Sequence, residues 1–200
     1  MAFRLKELPL HERQEGMEKV EKLILGIDPG TVVMGYGLIS VKGNDVQVLQ
    51  AGVIKTGAYK DHYLRLNHLF SRMQAILEDT KPDELAIESA FYGKDVQAML
   101  KLGRAQGIIM GLALQRDIPI FEYAPLKVKQ AITGMGRAAK EQVAYFLKNT
   151  MKIPNLPPEL DATDAIAVAV CHYLQQKNPL SSKQYKGWGD FIKKNPGRVK

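Results

Sequence analysis

The sequence predicts an α/β fold in which a five-stranded mixed sheet is flanked by helices. The chain has 200 residues, of which 46% are hydrophobic, so it can bury a sizeable core. Short β-rich segments are followed by longer segments with a helical period of apolar residues. Two of the short apolar segments end in a carboxylate, which is typical of strands that present a polar side chain at the edge of an α/β sheet.

Three strands are predicted to open the fold. Residues 23–28 form an apolar run closed by Asp-Pro-Gly, which indicates a buried strand that ends in a turn. Residues 32–41 and 46–54 are β-rich and are separated by a polar Lys-Gly-Asn-Asp turn. We therefore expect a turn followed by a hairpin.

Helices and strands then alternate. Residues 61–80 carry apolar side chains at helical spacing and end before Pro82, and the short apolar run 83–88 again ends in a carboxylate. Gly103, Gly107 and Gly111 lie one helical turn apart and permit close packing. The remaining expected elements are a helix over 95–116, a strand over 118–123, and helices over 126–132, 140–149 and 161–176.

The formal charge of +7 divides the chain into three parts. Residues 1–22 are polar and charge-balanced, so we expect a poorly ordered extension. Residues 23–176 form the folded domain and are nearly neutral. Residues 177–200 carry seven basic side chains and one acidic, which predicts a basic tail. This composition excludes collagenous and wholly disordered classes, and it hints at a polyanionic partner.

The sequence indicates a cytoplasmic protein without a membrane association. No apolar run approaches the roughly 20 residues that span a bilayer, and the N-terminus has no apolar signal-peptide core.

The single cysteine, Cys171, is expected to be a small core residue.

Four acids are the candidate functional residues. Asp28 and Glu88 end two apolar strands, and Asp161 and Asp164 share a face at the start of the last helix. If these ends meet, four carboxylates converge, which is unfavourable without a cation. Hard oxygen ligands favour Mg²⁺ or Mn²⁺, and two such ions about 4 Å apart promote phosphodiester hydrolysis. Taken singly, each acid has a structural explanation as a helix cap, a turn residue or a strand end.

Several motifs in order resemble the RuvC-type Holliday-junction resolvases over about residues 23–174. They are Gly-Ile-Asp-Pro-Gly-Thr at 26–31, Gly-Tyr-Gly at 35–37, Ala-Ile-Glu at 86–88 with Phe91, Leu-Lys-Leu-Gly-Arg-Ala-Gln-Gly at 100–107, Glu-Tyr-Ala-Pro at 122–125, Val-Lys-Gln at 128–130 and Asp-Ala-Thr-Asp-Ala at 161–165. The resemblance implies an RNase H-like fold, a homodimer and metal-dependent symmetric nicking of four-way DNA junctions in recombination and repair.

The resemblance also implies the site residues and partners. Asp28, Glu88, Asp161 and Asp164 would be the catalytic, metal-binding acids, holding up to two Mg²⁺ ions per subunit, with Mn²⁺ as a substitute. RuvA and RuvB, the branch-migration proteins, would be partners. The helix over 95–116, apolar at Met99, Leu102, Ile109 and Leu112, would form the dimer interface, although the same stripe could cover the sheet.

A basic cluster and an aromatic pair are the expected DNA contacts. Lys129 and Lys140 match basic positions of the family, and Arg137 lies in a Gly-rich loop that lets a phosphate approach. Phe91 and Tyr92 follow Glu88, where aromatic rings can stack on unpaired bases. Each lysine could instead belong to a solvated helix face, and each ring to the core.

Three other functions fit parts of the sequence. A catalytically silent junction-binding protein is disfavoured because binding alone gains nothing from four acids facing DNA. An ATPase related to sugar kinases would need a second Gly-rich phosphate turn, which the sequence lacks. An RNase H-type nuclease acting on another substrate remains open, because substrate shape does not follow from residue spacing.

Overall fold

The computed structural model describes residues 21–89, 95–153 and 156–177. Phe91 and Tyr92, most of the expected N-terminal extension and nearly all of the basic tail lie outside these ranges. Within them, no helix combines the length and the apolar character needed to cross a membrane.

A five-stranded sheet forms the centre of the molecule, with strand order β3-β2-β1-β4-β5. The first three strands form an antiparallel meander, and β4 and β5 continue the sheet in parallel with β1. The strands are β1 (Lys22–Asp28), β2 (Val33–Lys42), β3 (Asp45–Lys55), β4 (Glu84–Glu88) and β5 (Ile120–Tyr123). The predicted meander and the mixed sheet are confirmed.

Within the described ranges, five α-helices cover the two faces of the sheet. They are α1 (His62–Thr80), α2 (Val96–Leu114), α3 (Pro125–Thr133), α4 (Lys140–Tyr145) and α5 (Leu160–Lys177), and a π-helical segment, Phe146–Thr150, extends α4. The apolar side chains of α1 and α2 pack on one face of the sheet, while α3, α4 and α5 pack on the other. Two hydrophobic clusters therefore sandwich the sheet, and Cys171 is buried in the cluster on the α5 side, as expected.

Glycines in β1 and β2 let α5 lie directly on the sheet backbone. A Cβ atom added at Gly26 would lie 2.0 Å from the carbonyl oxygen of Ala165, and one at Gly35 would lie 1.9 Å from that of Asp161. Because a real Cβ cannot approach so closely, these positions exclude every larger residue in this arrangement. The glycines thus fix the distance between α5 and the sheet.

The glycines of α2 lie beside open space in this chain. Among the described residues outside its own stretch of helix, an added Cβ at Gly103, Gly107 or Gly111 meets no atom within 4 Å. Ile109 and Leu112, which were expected to line a dimer interface, are instead buried in the core of this chain against α1 and the sheet. Met99 and Leu102, the other two residues of the expected stripe, are half-buried. The glycines lie on the exposed face of the helix.

Two described residues next to the expected domain boundaries belong to elements of the sheet and of α5. Lys22, assigned from the sequence to the N-terminal extension, is the first residue of β1 and pairs with Val41. Its ammonium group contacts Glu84 at 2.5 Å. Similarly, Lys177 is the last residue of α5 and donates a hydrogen bond to Asn44 at 2.7 Å.

Candidate active site

The parallel pairing of β1 and β4 places two of the predicted acids side by side. Ile27 is in register with Ile87, so Asp28 and Glu88 are the next residues on neighbouring strands. Both strands run in the same direction, and both acids therefore lie at the carboxyl edge of the sheet, where α/β folds bind ligands. Both side chains are half-buried.

The start of α5 brings the other two acids to the same edge. Asp28 pairs across the sheet with Gly35, and the backbone of Asp161 rests on Gly35. The chain thereby positions Asp161 beside Asp28, and Asp164 follows one helical turn later. One carboxylate oxygen each from Asp28, Asp161 and Asp164 lie within 4.8 Å of one another.

Glu88 lies beside this group of three acids. It lines, with Asp28 and Asp164, a cleft of about 160 Å³ whose walls also include Lys129 and Lys140. The fourth acid thus faces the same cleft without belonging to the tightest cluster among the described residues.

Burial and mutual repulsion shift the pKa values of the two strand-end acids. Burial, followed by the charges of Glu88 and Asp164, raises the pKa of Asp28 to about 7. Burial and the charge of Asp164 raise the pKa of Glu88 to about 6. A nearby cation would therefore stabilise the ionised form of both carboxylates. The oxygen ligands of the three-acid cluster suit a hard divalent cation.

Lys140 makes direct contacts with the acids. Its Nζ donates a hydrogen bond to Oδ1 of Asp161 at 3.0 Å and another to Oδ2 of Asp164. Burial lowers the pKa of the Lys140 ammonium, but its hydrogen bonds to Asp164 and Asp161 outweigh this effect and raise the pKa above its usual value. Lys140 therefore remains charged in this arrangement.

The other predicted DNA contacts are divided between the cleft and the surface. Lys129, on α3, lines the cleft, and its charge, like that of Lys140, offsets part of the rise in the pKa of Glu88. Arg137 is exposed in the loop between α3 and α4 and is not among the residues that line the cleft. This loop begins at Gly134, which caps α3 with φ of 76°. Phe91 and Tyr92 follow the cleft residue Glu88 but lie outside the described residues.

Two supporting contacts were missed by reasoning from the sequence. The buried side chain of Gln106 donates a hydrogen bond to the backbone oxygen of Glu88 at 2.8 Å, which ties α2 to the end of β4. At the other end of β4, buried His172 bridges Tyr123 and Glu84, both at 2.7 Å. Gln106 and Tyr123 occur within the motifs quoted above, but Glu84 and His172 carry no sequence signal of their pairing.

Comparisons with known proteins agree with this geometry. Residues 24–172 match the model of the family described as crossover junction endodeoxyribonuclease RuvC. The protein of that name from Bacteroides fragilis is 54% identical over 182 residues, which cover 90% of this chain and 97% of the relative. The one from Cytophaga hutchinsonii is 51% identical, covering 90% of each chain.

Solved structures show the same similarity. The structure of Thermus thermophilus RuvC in complex with a Holliday junction substrate is 27% identical, covers 78% of this chain and 95% of that one, and superimposes with a TM-score of 0.69. Another structure of T. thermophilus RuvC is 29% identical and has the same coverage and TM-score. The yeast mitochondrial Holliday junction resolvase Ydc2, with 15% identity and a TM-score of 0.61, shares the fold.

Proposed function

Since the chain belongs to the RuvC family of crossover junction endodeoxyribonucleases, it is an endonuclease that resolves Holliday junctions, and we propose that Asp28, Glu88, Asp161 and Asp164 form its catalytic centre. The observation that carries this assignment is the convergence of three of these acids, with ligand oxygens within 4.8 Å, at the sheet edge where Glu88 also lies. The family likeness includes the RNase H-like fold.

The acids would hold Mg²⁺, with Mn²⁺ as a substitute and up to two ions per subunit. Such ions supply activation of a water molecule and stabilisation of the leaving 3′ oxygen when they are bound. The chain itself fixes the four carboxylates on three rigid elements, so the ligands are pre-organised before DNA arrives. Val143 and Ala167 contribute apolar side chains to the wall of the same cleft.

Four-way junction DNA is the proposed substrate, in keeping with the Holliday junction bound by T. thermophilus RuvC in its complex. Lys129 beside the cleft and exposed Arg137 would contact phosphates, while Phe91 and Tyr92 would stack on bases at the crossover. RuvA and RuvB remain the proposed protein partners, and a reaction on chromosomal DNA would place the protein in the cytoplasm.

A homodimer through the exposed face of α2 is the proposed assembly. Leu100 and Leu114 are 52% and 65% exposed on this face, and Gly103, Gly107 and Gly111 lie between them with open space above. Small residues at this spacing let a second helix approach closely. Two active sites related by a two-fold axis could then cut two equivalent strands of a symmetric junction.

The test compares a synthetic four-way junction, a linear duplex of the same sequence and an RNA/DNA hybrid, each with Mg²⁺ and with EDTA. We expect paired symmetric nicks in the junction when Mg²⁺ is present, and no nicks in EDTA. Cutting of the hybrid in preference to the junction would support the RNase H-type alternative, and strong cutting in EDTA would overturn the metal assignment.

A further inference from the structure

We propose that Lys140 is a built-in counter-ion that occupies the acid cluster before a divalent cation binds, and that is released toward DNA phosphates when the cation displaces it. The inference rests on the proposed metal site. It adds to that site an order of events, in which metal loading exposes a positive charge for DNA.

The ammonium group of Lys140 lies where a divalent cation would contact the same carboxylates. Its ammonium group bonds oxygens of both Asp161 and Asp164, which belong to the cluster of three acids that can hold a metal ion. It also lines the same cleft as Asp28 and Glu88. One side chain therefore lies close to all four proposed ligands, and a cation bound by the same oxygens would repel it.

The local structure holds the backbone of Lys140, while its ion-paired side chain is partly exposed to solvent. Lys140 is the first residue of α4, and the side chain of Gln142 accepts a hydrogen bond from the backbone N–H of Ala139 at 2.9 Å. The side chain of Lys140 is nevertheless 45% exposed. A flexible four-carbon stem on a fixed anchor can move its ammonium group between carboxylates and a phosphate without moving the helix.

Lys129 provides a matched control in the same cleft. It lines the same cavity and its charge reaches Glu88, but no ion pair joins it to a carboxylate among the described residues. Lys129→Met therefore removes one positive charge from the cleft without removing the direct contact that Lys140 makes.

The first test measures Mn²⁺ binding to the DNA-free protein by titration calorimetry. We expect Lys140→Met to bind Mn²⁺ about 10-fold more tightly than the wild type, and Lys129→Met to change the affinity less than 3-fold. Equal effects of the two variants, or none for Lys140→Met, would overturn the inference while the metal site stands. A wild type that binds Mn²⁺ no better than Asp28→Asn would instead overturn the proposed metal site.

Thermal unfolding gives a second readout that does not depend on activity. In EDTA, Lys140→Met should unfold several degrees below the wild type because the acids lose their counter-ion. In saturating Mg²⁺ this difference should shrink to less than about one degree. A deficit of the same size in both conditions would mean that Lys140 stays on the acids after the metal binds, which would contradict its release.

The released charge is tested by junction binding at several salt concentrations. With Ca²⁺, a plot of the logarithm of the binding constant against the logarithm of the salt concentration should be steeper by about one unit for the wild type than for Lys140→Met. This is the difference expected for one additional phosphate contact. In EDTA the two slopes should agree. A difference of one unit in both conditions would show that Lys140 contacts DNA without first being displaced, and the proposed order would be wrong.

Discussion

Each acid at the sheet edge is a proposed metal ligand, and single substitutions test the residues one by one. We expect Asp28→Asn, Glu88→Gln and Asp164→Asn each to reduce junction cleavage by at least about 10³-fold, because each loses a charged oxygen ligand. Junction binding measured in Ca²⁺ should change less than about 3-fold. A variant that retains near-normal nicking would remove that residue from the proposed catalytic centre.

The metal-free protein should lose stability as the pH rises, and Asp28 is the main source of this dependence. Its pKa is about 7 in the fold against an ordinary 3.8, so the folded state favours the protonated form. The stabilising contribution is complete below about pH 4 and is lost as the pH rises through 7. In EDTA, the melting temperature should fall by about 5 °C between pH 5 and pH 8.

Asn at position 28 remains neutral across this range, so Asp28→Asn should remove the larger part of the pH dependence and leave a smaller part from Glu88, whose pKa is about 6. Asp79→Asn, at an exposed position of α1, should leave it unchanged. If Asp28→Asn retains the full pH dependence in EDTA, another group is responsible for it.

Glu84, at the other end of β4, has a pKa that is shifted in the opposite direction to that of Asp28. Burial alone would raise its pKa, but hydrogen bonds with His172 and Lys22 outweigh this effect and lower the pKa to about 2. Its stabilising contribution is therefore present above about pH 4.5 and is lost as the pH falls toward 2.

Glu84→Gln should lower the stability at pH 7 by about 2 kcal/mol, since it removes the charge of a carboxylate that is 13% exposed and contacts both Lys22 and buried His172. Glu78→Gln is the control, because Glu78 forms an ion pair with Arg116 and is 56% exposed. Such surface pairs contribute less than about 1 kcal/mol to stability. Urea unfolding of both variants measures the difference. Equal losses would mean that the Glu84 network adds nothing beyond a surface pair.

The packing of α5 on β1 and β2 controls the site at the level of whole elements. Gly35→Ala would place a methyl group against the carbonyl oxygen of Asp161, so the start of α5 must move. We expect this variant to be less stable by about 2 kcal/mol and to bind Mn²⁺ at least 10-fold more weakly.

Gly37→Ala is the matched comparison, because its methyl group meets the side chain of Ile166, further along the same helix. It should cost similar stability and leave the Mn²⁺ affinity within about 3-fold. A metal affinity that falls equally in both variants would indicate a general loss of packing and not a displaced ligand.

Most elements and the acid cluster could be predicted from the sequence, because strands that end in carboxylates and a helix that begins with two of them carry a local signal. The sequence has no local signal for which surface an apolar helix face will pack against. The spacing of Ile109 and Leu112 identified an apolar stripe, but only the tertiary arrangement shows that it packs on the sheet. The ion pairs of Lys140 and Glu84 join residues far apart in the chain, so no spacing rule reveals them.

The molecule as a whole should act as a dimer, and the exposed face of α2 is where this can be tested. Leu100→Arg should give a monomer in sedimentation experiments and should replace paired junction cuts with single nicks. Leu49→Arg on the edge strand β3 is matched to it, because both leucines are 52% exposed. A Leu100→Arg protein that remains dimeric would move the interface elsewhere.

The close contact between α5 and the sheet has a consequence for motion. Residues 165–171 of this helix are all buried, and its start carries two of the proposed ligands. Backbone amides in such a helix exchange with solvent through opening of much of the fold, not through local fraying. Amide hydrogens in the middle of α5 should therefore be among the slowest to exchange for deuterium, and the helix that carries Asp161 and Asp164 should leave the sheet only when much of the domain unfolds.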